Sequence, residues 1–324
     1  MSEMHKTLNT FLKTQTIDQN LKLLFNSIAE SAIDIADHLS VKNTLISDND
    51  NDNVNVQGEK QQPLDIIAND IIKKRLLMLP MVKGFISEEE DTFHVGEQKG
   101  EYLVAFDPLD GSSNLMVHGL VGSIFSVLPA SSGMLSEKEF LQEGKAQVAS
   151  CYFLYGYTTL MMFSCGTGLF LFQYRKDLSA FILIKENIQL PYETPFFYIN
   201  MSNQRFWHQP MQKYIADCLL GKEGERKKDF NMRWIASMVG DIHRTILMGG
   251  IFCYPSDYKN IKQPNKLRIL YEANPMSFLI HQGSGLATTG YQMILDIQPS
   301  DIHQRVSVIM GSAHEVQSCL SYFE

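Results

Sequence analysis

The chain has 324 residues, of which 44 % are apolar, and its formal net charge at pH 7 is −8. This length and composition allow one large hydrophobic core or two, and the acidic balance disfavours nucleic acid, which calls for a basic face. The first twenty residues carry neither an apolar signal core nor an Arg-rich amphipathic pattern, and no apolar run approaches a membrane span. Five cysteines at irregular spacing indicate no zinc site and no disulfide framework. We therefore expect a cytoplasmic protein with reduced thiols that binds neither nucleic acid nor membrane.

Two helical patterns and a polar segment precede the first predicted strand. Apolar residues recur every three or four positions over residues 21–39, which predicts a helix. Residues 47–55 are almost entirely polar and predict a loop; their Asp run lacks the glycine that an EF-hand requires. Residues 64–79 predict a second helix that ends before Pro80, and residues 85–87 predict a short strand.

Strand patterns dominate the middle of the chain, and a second mixture of strands and helices follows. The strands predicted in the middle cover residues 123–128, 147–155, 160–164, 168–174 and 180–184. Pro191 and Pro195 mark a boundary, so we predict one α/β domain over residues 1–190 and a second over residues 191–324. In the second, we predict strands at 196–199, 251–254, 293–297 and 306–310, and helices at 211–220, 233–248, 266–282 and 313–323.

One acidic motif follows an apolar run at residues 102–106, which predicts a buried strand. The motif reads Asp107-Pro108-Leu109-Asp110-Gly111-Ser112-Ser113-Asn114. Two carboxylates three residues apart on a turn can converge on one or two hard cations. The glycine allows a tight turn, and the amides and hydroxyls after it can hold an anion if a helix starts there. Metal ligands beside an anion cradle indicate metal-assisted phosphoryl chemistry, although the motif alone also fits a strand-to-helix turn with an Asp cap.

Three consecutive acids, Glu88, Glu89 and Glu90, follow the strand predicted at residues 85–87. Charge alone predicts a solvated turn. Their place after a strand instead puts them beside the motif at 107–114, because open α/β sheets bind ligands off their strand ends. Two other motifs of phosphoryl chemistry are absent from the sequence, since no Cys precedes an Arg by six positions and no Gly-x-x-x-x-Gly-Lys loop occurs.

These motifs occur with further segments in a fixed order. The further segments are Leu64-Asp65, Ser87-Glu88-Glu89, Asp241-Ile-His-Arg-Thr, Gly249-Gly-Ile-Phe, Lys266-Leu-Arg-Ile-Leu-Tyr-Glu-Ala-Asn-Pro-Met, Leu286-Ala-Thr-Thr-Gly and Asp301-Ile-His-Gln-Arg. Together they closely resemble class I fructose-1,6-bisphosphatases, from about residue 56 to residue 311. The wider inositol-monophosphatase superfamily shares the Asp-Pro-Leu-Asp-Gly element but not the segment at 266–276. The resemblance implies the sugar phosphatase fold, a layered α/β/α/β/α sandwich with mixed sheets.

The resemblance implies a Mg²⁺ site, at which Mn²⁺ could substitute. Its ligands would be the Leu109 carbonyl and the carboxylates of Glu88, Asp107, Asp110 and Glu272, with Glu59 closing over a further metal. An all-oxygen set rich in carboxylates suits such cations. Asp65 together with Glu89 would take the proton of the attacking water. Two carboxylates this close repel each other, so one of them is expected to have a raised pKa.

The resemblance also implies two phosphate sites. The reacting 1-phosphate would be held by Asp110, Gly111, Ser112, Ser113 and Arg268, whose planar guanidinium suits that task. The 6-phosphate would meet Asn200, Tyr254, Lys266 and an Arg233 from a neighbouring subunit, which implies a homo-oligomer, either a dimer or a tetramer.

Two positions of the 6-phosphate site differ from the family. They hold Asn203 and Trp234 where the family has tyrosines, and each can still donate a hydrogen bond. By pattern alone, Trp234 fits core packing, and Lys266 and Arg268 fit a solvated helix face.

The implied activity is Mg²⁺-dependent hydrolysis of D-fructose 1,6-bisphosphate to fructose 6-phosphate and inorganic phosphate, a step of gluconeogenesis. The altered 6-phosphate wall leaves a second enzymatic interpretation open, namely sedoheptulose-1,7-bisphosphatase or a broad sugar-phosphate phosphatase. A non-enzymatic alternative is an inactive phosphosugar-binding scaffold. Such a protein would lack a metal ligand or a base, whereas all of the implied ones are present here.

Many members of this family are inhibited by AMP, whose phosphate rests at a helix N-terminus between the first two helices. The aligned residues 18–22 here lack the glycine and both threonines of that turn, and Asp18 adds a negative charge. Glu101 and Pro129 stand where those relatives have a lysine and an arginine. We therefore predict that AMP does not inhibit this protein through that site.

Overall fold

The computed structural model describes residues 5–41 and 62–324. In these residues the α-helices are α1 (Leu8–Thr14), α2 (Gln19–Val41), α3 (Pro63–Leu77), α4 (Gln209–Leu219), α5 (Met238–Met248), α6 (Asn274–Gln282) and α7 (Ala313–Leu320). The β-strands are β1 (Val82–Ser87), β2 (His94–Val95), β3 (Tyr102–Asp110), β4 (Val121–Pro129), β5 (Ala149–Tyr155), β6 (Thr159–Ser164), β7 (Phe170–Arg175), β8 (Ala180–Lys185), β9 (Phe196–Tyr198), β10 (Asn231–Arg233), β11 (Ile251–Tyr254), β12 (Leu267–Arg268), β13 (Leu286–Thr288), β14 (Arg305–Val306) and β15 (Val308–Gly311). The polar segment predicted at 47–55 lies outside the described residues.

The first half of the chain builds an eight-stranded mixed sheet in the order β2-β1-β3-β4-β5-β6-β7-β8. Only the β1–β3 pair is parallel among the described strands of this sheet. Because β1 and β3 run in the same direction, their carboxyl ends meet at one edge. That edge carries Glu88, directly after β1, and Asp107 and Asp110 on β3.

The second half builds a five-stranded sheet in the order β10-β9-β11-β15-β13. Strands β10, β9 and β11 are parallel, and β15 is antiparallel to both β11 and β13. A separate two-stranded ribbon joins β12 to β14, where Arg268 pairs with Arg305. This ribbon supports the stretch of chain that leads to Glu272.

Three hydrophobic clusters define the order of the layers. Helices α2 and α3 pack on one face of the large sheet through residues such as Phe25 and Ile72. Helices α5 and α6 lie between the two sheets and contribute Ile242 and Leu279 to the central cluster, and α4 and α7 cover the far face of the smaller sheet, where Tyr214 is buried. Each large apolar side chain buried in this way contributes about 1.5–3 kcal/mol to the stability of the fold. The layers therefore follow one another in the order helix, sheet, helix, sheet, helix, which confirms the predicted α/β/α/β/α sandwich.

Helix α5 begins later than its sequence pattern predicts. The predicted helix spans residues 233–248, but α5 starts at Met238 because the Ser237 hydroxyl caps it and accepts the Gly240 N–H at 3.3 Å. Residues 231–233 form β10 instead, because they pair in parallel with β9. The predicted stop at Gly249 is correct, and this glycine adopts φ +74° as the helix ends.

The helix predicted at residues 266–282 is three elements in the structure. Residues 267–268 form β12, a π-helical turn covers Ile269–Ala273, and α6 follows without a break. Pairing with β14 holds the first residues extended against their helical pattern. The strand predicted at 293–297 is a 3-10 helix, Ile294–Asp296, and the prediction lacked the short elements α1, β2 and β13, for which too few residues exist to establish a period.

No helix in residues 5–41 and 62–324 is both long and apolar enough to cross a bilayer. All five cysteines are buried and none forms a disulfide. Burial raises the pKa of the Cys151 and Cys253 thiols well above their ordinary value. The thiols therefore act as small apolar core residues, and none offers a reactive thiolate.

Candidate active site

Two aspartates are positioned by an irregularity at the end of β3. The strand runs on through Asp110, with a shift in its pairing to β4 between Asp107 and Asp110. Pro108 lies in this shift, and its carbonyl accepts a hydrogen bond from the Ser123 hydroxyl at 2.7 Å. The Asp107 carboxylate accepts the N–H of Leu109 at 2.9 Å. The break in the ladder turns both carboxylates toward the same space.

Glu272 reaches the same place from the other half of the chain. One carboxylate oxygen from each of Asp107, Asp110 and Glu272 lies within 4.8 Å of the others, and all three residues are buried. The π-helical turn presents Glu272 so that its carboxylate accepts the backbone N–H of Arg268 at 2.6 Å. The Arg268 guanidinium, which is 3 % exposed, contacts the Glu88 carboxylate. Arg268 is therefore a buried counter-charge in the cluster, not part of a solvated helix face.

Burial and mutual repulsion disfavour the ionised form of these acids. Burial, followed by repulsion from Glu88, Asp110 and Glu272, raises the pKa of Asp107 well above its ordinary value. Burial and the charge of Glu88 raise the pKa of Glu272 to about 8. Burial also raises the pKa of Asp110, against the hydrogen bonds that it accepts. A cation that binds between the oxygens reverses this penalty, so an all-oxygen, buried and mutually repelling set fits hard divalent cations.

Asp65 lies on α3, facing the cluster. Its Oδ2 accepts the N–H of Gln62 at 2.7 Å, which closes a capping box at the start of the helix. Its Oδ1 is buried and has no hydrogen-bond partner among the described residues. Burial, with repulsion from Glu89 and Glu88, raises the pKa of Asp65 to about 8. A carboxyl with one uncommitted oxygen suits a proton acceptor near neutral pH if a nearby cation lowers its pKa from this metal-free value.

The turn after β3 depends on Gly111. This residue adopts φ +76°, and a Cβ there would lie 2.6 Å from the Ser237 Cβ, so a side chain is excluded by both conformation and space. The expected helix start is a 3-10 helix, Ser112–Val117. Its first residues face the cluster, which places hydroxyl groups beside the acids.

The Asp110 carboxylate also caps helix α5, which sequence reasoning missed. It accepts hydrogen bonds from the Ser237 hydroxyl at 2.6 Å, the Val239 N–H at 2.9 Å and the Met238 N–H at 3.2 Å. Asp241 binds the preceding loop in turn through the Ile235 N–H at 2.9 Å. A serine followed by a helical pattern is an N-cap signal that could have located the true start of α5.

These groups line one cavity of about 500 Å³. It brings together nearly all of the predicted site residues: Asp65, Glu88, Glu89, Asp107, Leu109, Asp110, Gly111, Ser112, Ser113, Asn200, Trp234, Tyr254, Lys266, Arg268 and Glu272. Arg233 does not line it; this residue is exposed on the edge strand β10. Glu59 lies outside the described residues.

The far end of the cavity is aromatic and polar. The Trp234 ring lies parallel to Phe252, with centroids 6.2 Å apart, and also faces Tyr254. Asn203 is set back in a small adjoining pocket, where its carbonyl oxygen accepts the Lys259 ammonium at 3.3 Å. Trp234 is therefore a wall of the cavity, whereas Asn203 is not.

Sequence models of known protein families match almost the entire chain. The N-terminal domain of fructose-1-6-bisphosphatase matches residues 5–186, and the C-terminal domain matches residues 190–324. The chain belongs to the fructose-1,6-bisphosphatase family. The class 1 fructose-1,6-bisphosphatase of Shewanella woodyi is 50 % identical over 98 % of this chain and 96 % of the relative, and that of Shewanella loihica is 51 % identical over the same shares. Among solved structures, holo Leishmania major fructose-1,6-bisphosphatase superposes with a TM-score of 0.90 at 32 % identity, covering 98 % of each chain.

Proposed function

We propose that the buried carboxylates at the end of β3 bind Mg²⁺ in this fructose-1,6-bisphosphatase and that the cavity beside them holds the sugar bisphosphate. The overall reaction is hydrolysis of the 1-phosphate of fructose 1,6-bisphosphate to fructose 6-phosphate and inorganic phosphate, a step of gluconeogenesis. The observation that carries the site assignment is the convergence of Asp107, Asp110 and Glu272 in one buried cluster.

Glu88, Asp107, Asp110 and Glu272, with the Leu109 carbonyl, would hold the metal. Mg²⁺, or Mn²⁺ in its place, supplies positive charge that lowers the pKa of water and neutralises the leaving oxygen. Arg268 already supports the charge of Glu88. Because a guanidinium has several donors, Arg268 can keep that contact and still bind a phosphate.

Asp65 is the proposed acceptor of the water proton, together with Glu89. Its Oδ1 is uncommitted, and the charge of a bound cation would lower the pKa of this carboxyl from the metal-free value of about 8, so that the ionised form could take up a proton at neutral pH. Ser112 and Ser113 lie beside the acids in the turn after Gly111 and would orient the 1-phosphate. No covalent intermediate is required in this scheme.

The other end of the substrate would meet Asn200, Trp234, Tyr254 and Lys266, which line the same cavity. Arg233 is exposed and absent from the lining of its own cavity, so we propose that it serves the cavity of a second copy. This makes the active form a homo-oligomer, either a dimer or a tetramer. The division of the chain at residue 190 and its cytoplasmic location remain predictions.

Phosphate release from a panel of sugar mono- and bisphosphates, with and without Mg²⁺, tests the assignment and its substrate range. We expect fructose 1,6-bisphosphate to be the best substrate, and a comparable rate on sedoheptulose 1,7-bisphosphate would favour a broader specificity. Glu272→Gln and Asp110→Asn should each lower turnover by orders of magnitude, about 10²-fold or more, because each removes an anionic oxygen from the metal site. Exposed Glu223→Gln is the matched control. Wild-type turnover of Glu272→Gln in Mg²⁺ would refute the site.

A further inference from the structure

The third acid of the run after β1 does not line the cavity. Glu90 is held instead by three side chains of the surrounding elements. Asn69 on α3 donates its amide N–H to Glu90 Oε1 at 2.7 Å, and the Lys73 ammonium contacts the same oxygen. The His94 Nε2 on β2 contacts Oε2. We call Asn69, Lys73, Glu90 and His94 the Glu90 anchor.

The anchor holds both ends of the short turn that carries the cavity acids. Asn69 also accepts the Ser87 hydroxyl at 2.7 Å through its Oδ1, so this one amide binds the residue before Glu88 and the residue after Glu89. The Ser87 hydroxyl in turn accepts the Glu89 N–H at 3.3 Å. Asn69 and Ser87 are nearly or fully buried, at 6 % and 0 % exposure. The turn between them is therefore fixed against α3.

The same helix carries the proposed base. Asp65, Asn69 and Lys73 are spaced four residues apart on α3, which places them on one face of the helix. At the other side of the anchor, the His94 ring stacks on Phe85 of β1, with centroids 4.8 Å apart and planes 13° apart. The anchor thus ties the base helix, the acidic turn and the edge strand β2 into one unit.

We propose that Glu90 is a positioning residue, which sets the distance between the Asp65 carboxylate and the carboxylates of Glu88 and Glu89. These cavity acids repel one another, and the contacts of Asn69 and Lys73 with Glu90 link the far end of the turn to α3. Glu90 contacts neither substrate nor metal in this arrangement. The inference rests on the proposed metal site, since it assigns Glu90 a role only through Glu88 and Glu89.

Removing the negative charge of Glu90 should weaken Mg²⁺ binding without affecting the turn after Gly111 that is proposed to hold the 1-phosphate. We expect Glu90→Ala to raise the Mg²⁺ concentration for half-maximal activity about tenfold and to lower kcat about tenfold, as for other residues that orient metal ligands. The KM for fructose 1,6-bisphosphate at saturating Mg²⁺ should change less than about twofold, because Lys266 and the turn after Gly111 are untouched. Glu90→Gln, which still accepts the Asn69 N–H, should restore part of the loss.

Two controls separate positioning from general destabilisation. Glu97→Ala removes an exposed carboxylate that follows β2 and should leave both constants unchanged. Lys73→Ala, on the outer part of the anchor, should shift the Mg²⁺ requirement in the same direction as Glu90→Ala, and the double variant should shift it by less than the product of the two single shifts. Direct Mn²⁺ binding to the folded variants, followed by electron paramagnetic resonance, should weaken in parallel.

The result that would overturn the inference is a Glu90→Ala protein with wild-type kcat and an unchanged Mg²⁺ requirement. A variant that loses activity only in proportion to its folded fraction, with unchanged Mn²⁺ affinity, would also overturn it. The variant Glu88→Gln distinguishes failure of the positioning role of Glu90 from failure of the proposed metal site. If Glu88→Gln is inactive while Glu90→Ala is normal, the metal site stands and the positioning role fails; if both are fully active, the proposed metal site fails.

Discussion

Replacing Asp65 with asparagine should inactivate the enzyme and at the same time stabilise its metal-free fold. The carboxyl is buried, and its pKa rises from 3.8 to about 8 in the folded protein. The folded state therefore binds this proton more tightly than the unfolded chain. The stability that the group contributes is fully present below pH 4 and is lost as the pH rises through 8.

The magnitude follows from the size of that shift. One pKa unit corresponds to about 1.4 kcal/mol, so the ionisable group costs the metal-free fold roughly 4 kcal/mol at pH 7. Asparagine cannot ionise, and its Oδ1 can still accept the Gln62 N–H that closes the capping box. The free energy of unfolding of Asp65→Asn should therefore exceed that of the wild type by up to roughly 4 kcal/mol at pH 7, and by roughly 1.5 kcal/mol at pH 5.

Activity should move in the opposite direction. Loss of a general base costs about 10²–10⁴-fold in rate, and it should appear in kcat with little change in KM, because proton removal matters mainly in the transition state. Phosphate release in Mg²⁺ measures kcat and KM. Urea unfolding in a chelator at pH 5, 6 and 7 measures the free energy of unfolding of the metal-free protein. Asp70→Asn, an exposed position on the same helix, is the control.

Either of two results would refute this reasoning. If the variant unfolds at the same urea concentration as the wild type at pH 7, then burial of the Asp65 carboxyl does not lower the stability of the metal-free fold at that pH. A variant that retains wild-type kcat, or that loses substrate binding while keeping kcat, would show that Asp65 has a different role. The combination of higher stability and lower turnover is expected for a group whose environment is arranged for chemistry.

Three other predictions concern pH, effectors and assembly. Burial lowers the pKa of His243, whose Nδ1 lies 2.9 Å from the Tyr152 hydroxyl, to about 4, so the stability present above pH 6.5 is lost as the pH falls toward 4. In urea titrations His243→Gln should therefore reduce this acid-induced loss of unfolding free energy by up to roughly 3 kcal/mol. A variant with the wild-type dependence of stability on pH would contradict the prediction. At the start of α2 the Asp18 carboxylate already accepts the Leu21 N–H at 2.9 Å, so AMP titrated to millimolar levels should not inhibit phosphate release; micromolar inhibition abolished by substitutions at residues 18–22 would disprove this. Arg233→Ala should raise KM for the bisphosphate more than it lowers kcat, and sedimentation of the active wild type should give at least a dimer, so an active monomer would rule out sharing.

The residues that meet at the candidate site could be predicted from the sequence more reliably than the elements that carry them. Asp107, Asp110 and Gly111 follow a buried strand, and both the strand and the turn are local properties of a few residues. Glu272 was placed in the site through the segment at 266–276, although that segment was predicted to be a plain helix. The π-helical turn depends on pairing with β14, more than thirty residues later, and no local period contains that information.

The sequence also does not show which way the side chain of each acid after β1 points. Glu88 and Glu89 line the cavity, while Glu90 turns to α3 and β2. Adjacent residues with the same side chain differ here because a partner amide, Asn69, lies on a helix whose docking is decided by the hydrophobic core. The second function of Asp110, as the cap of α5, depends in the same way on tertiary packing that places the two halves of the chain together.

The separation along the chain of the acids proposed to bind metal also bears on biosynthesis. Asp107 and Asp110 leave the ribosome long before Glu272, and helix α5, which Asp110 caps, is also made later. Since domains fold during synthesis from the N-terminus, the nascent first half presents Glu88, Asp107 and Asp110 without Glu272 and without the helix that Asp110 caps. Such an intermediate lacks Glu272 and therefore cannot assemble the complete set of proposed metal ligands. Catalytic competence should therefore appear only near the end of translation, and chains released prematurely should not consume sugar phosphates.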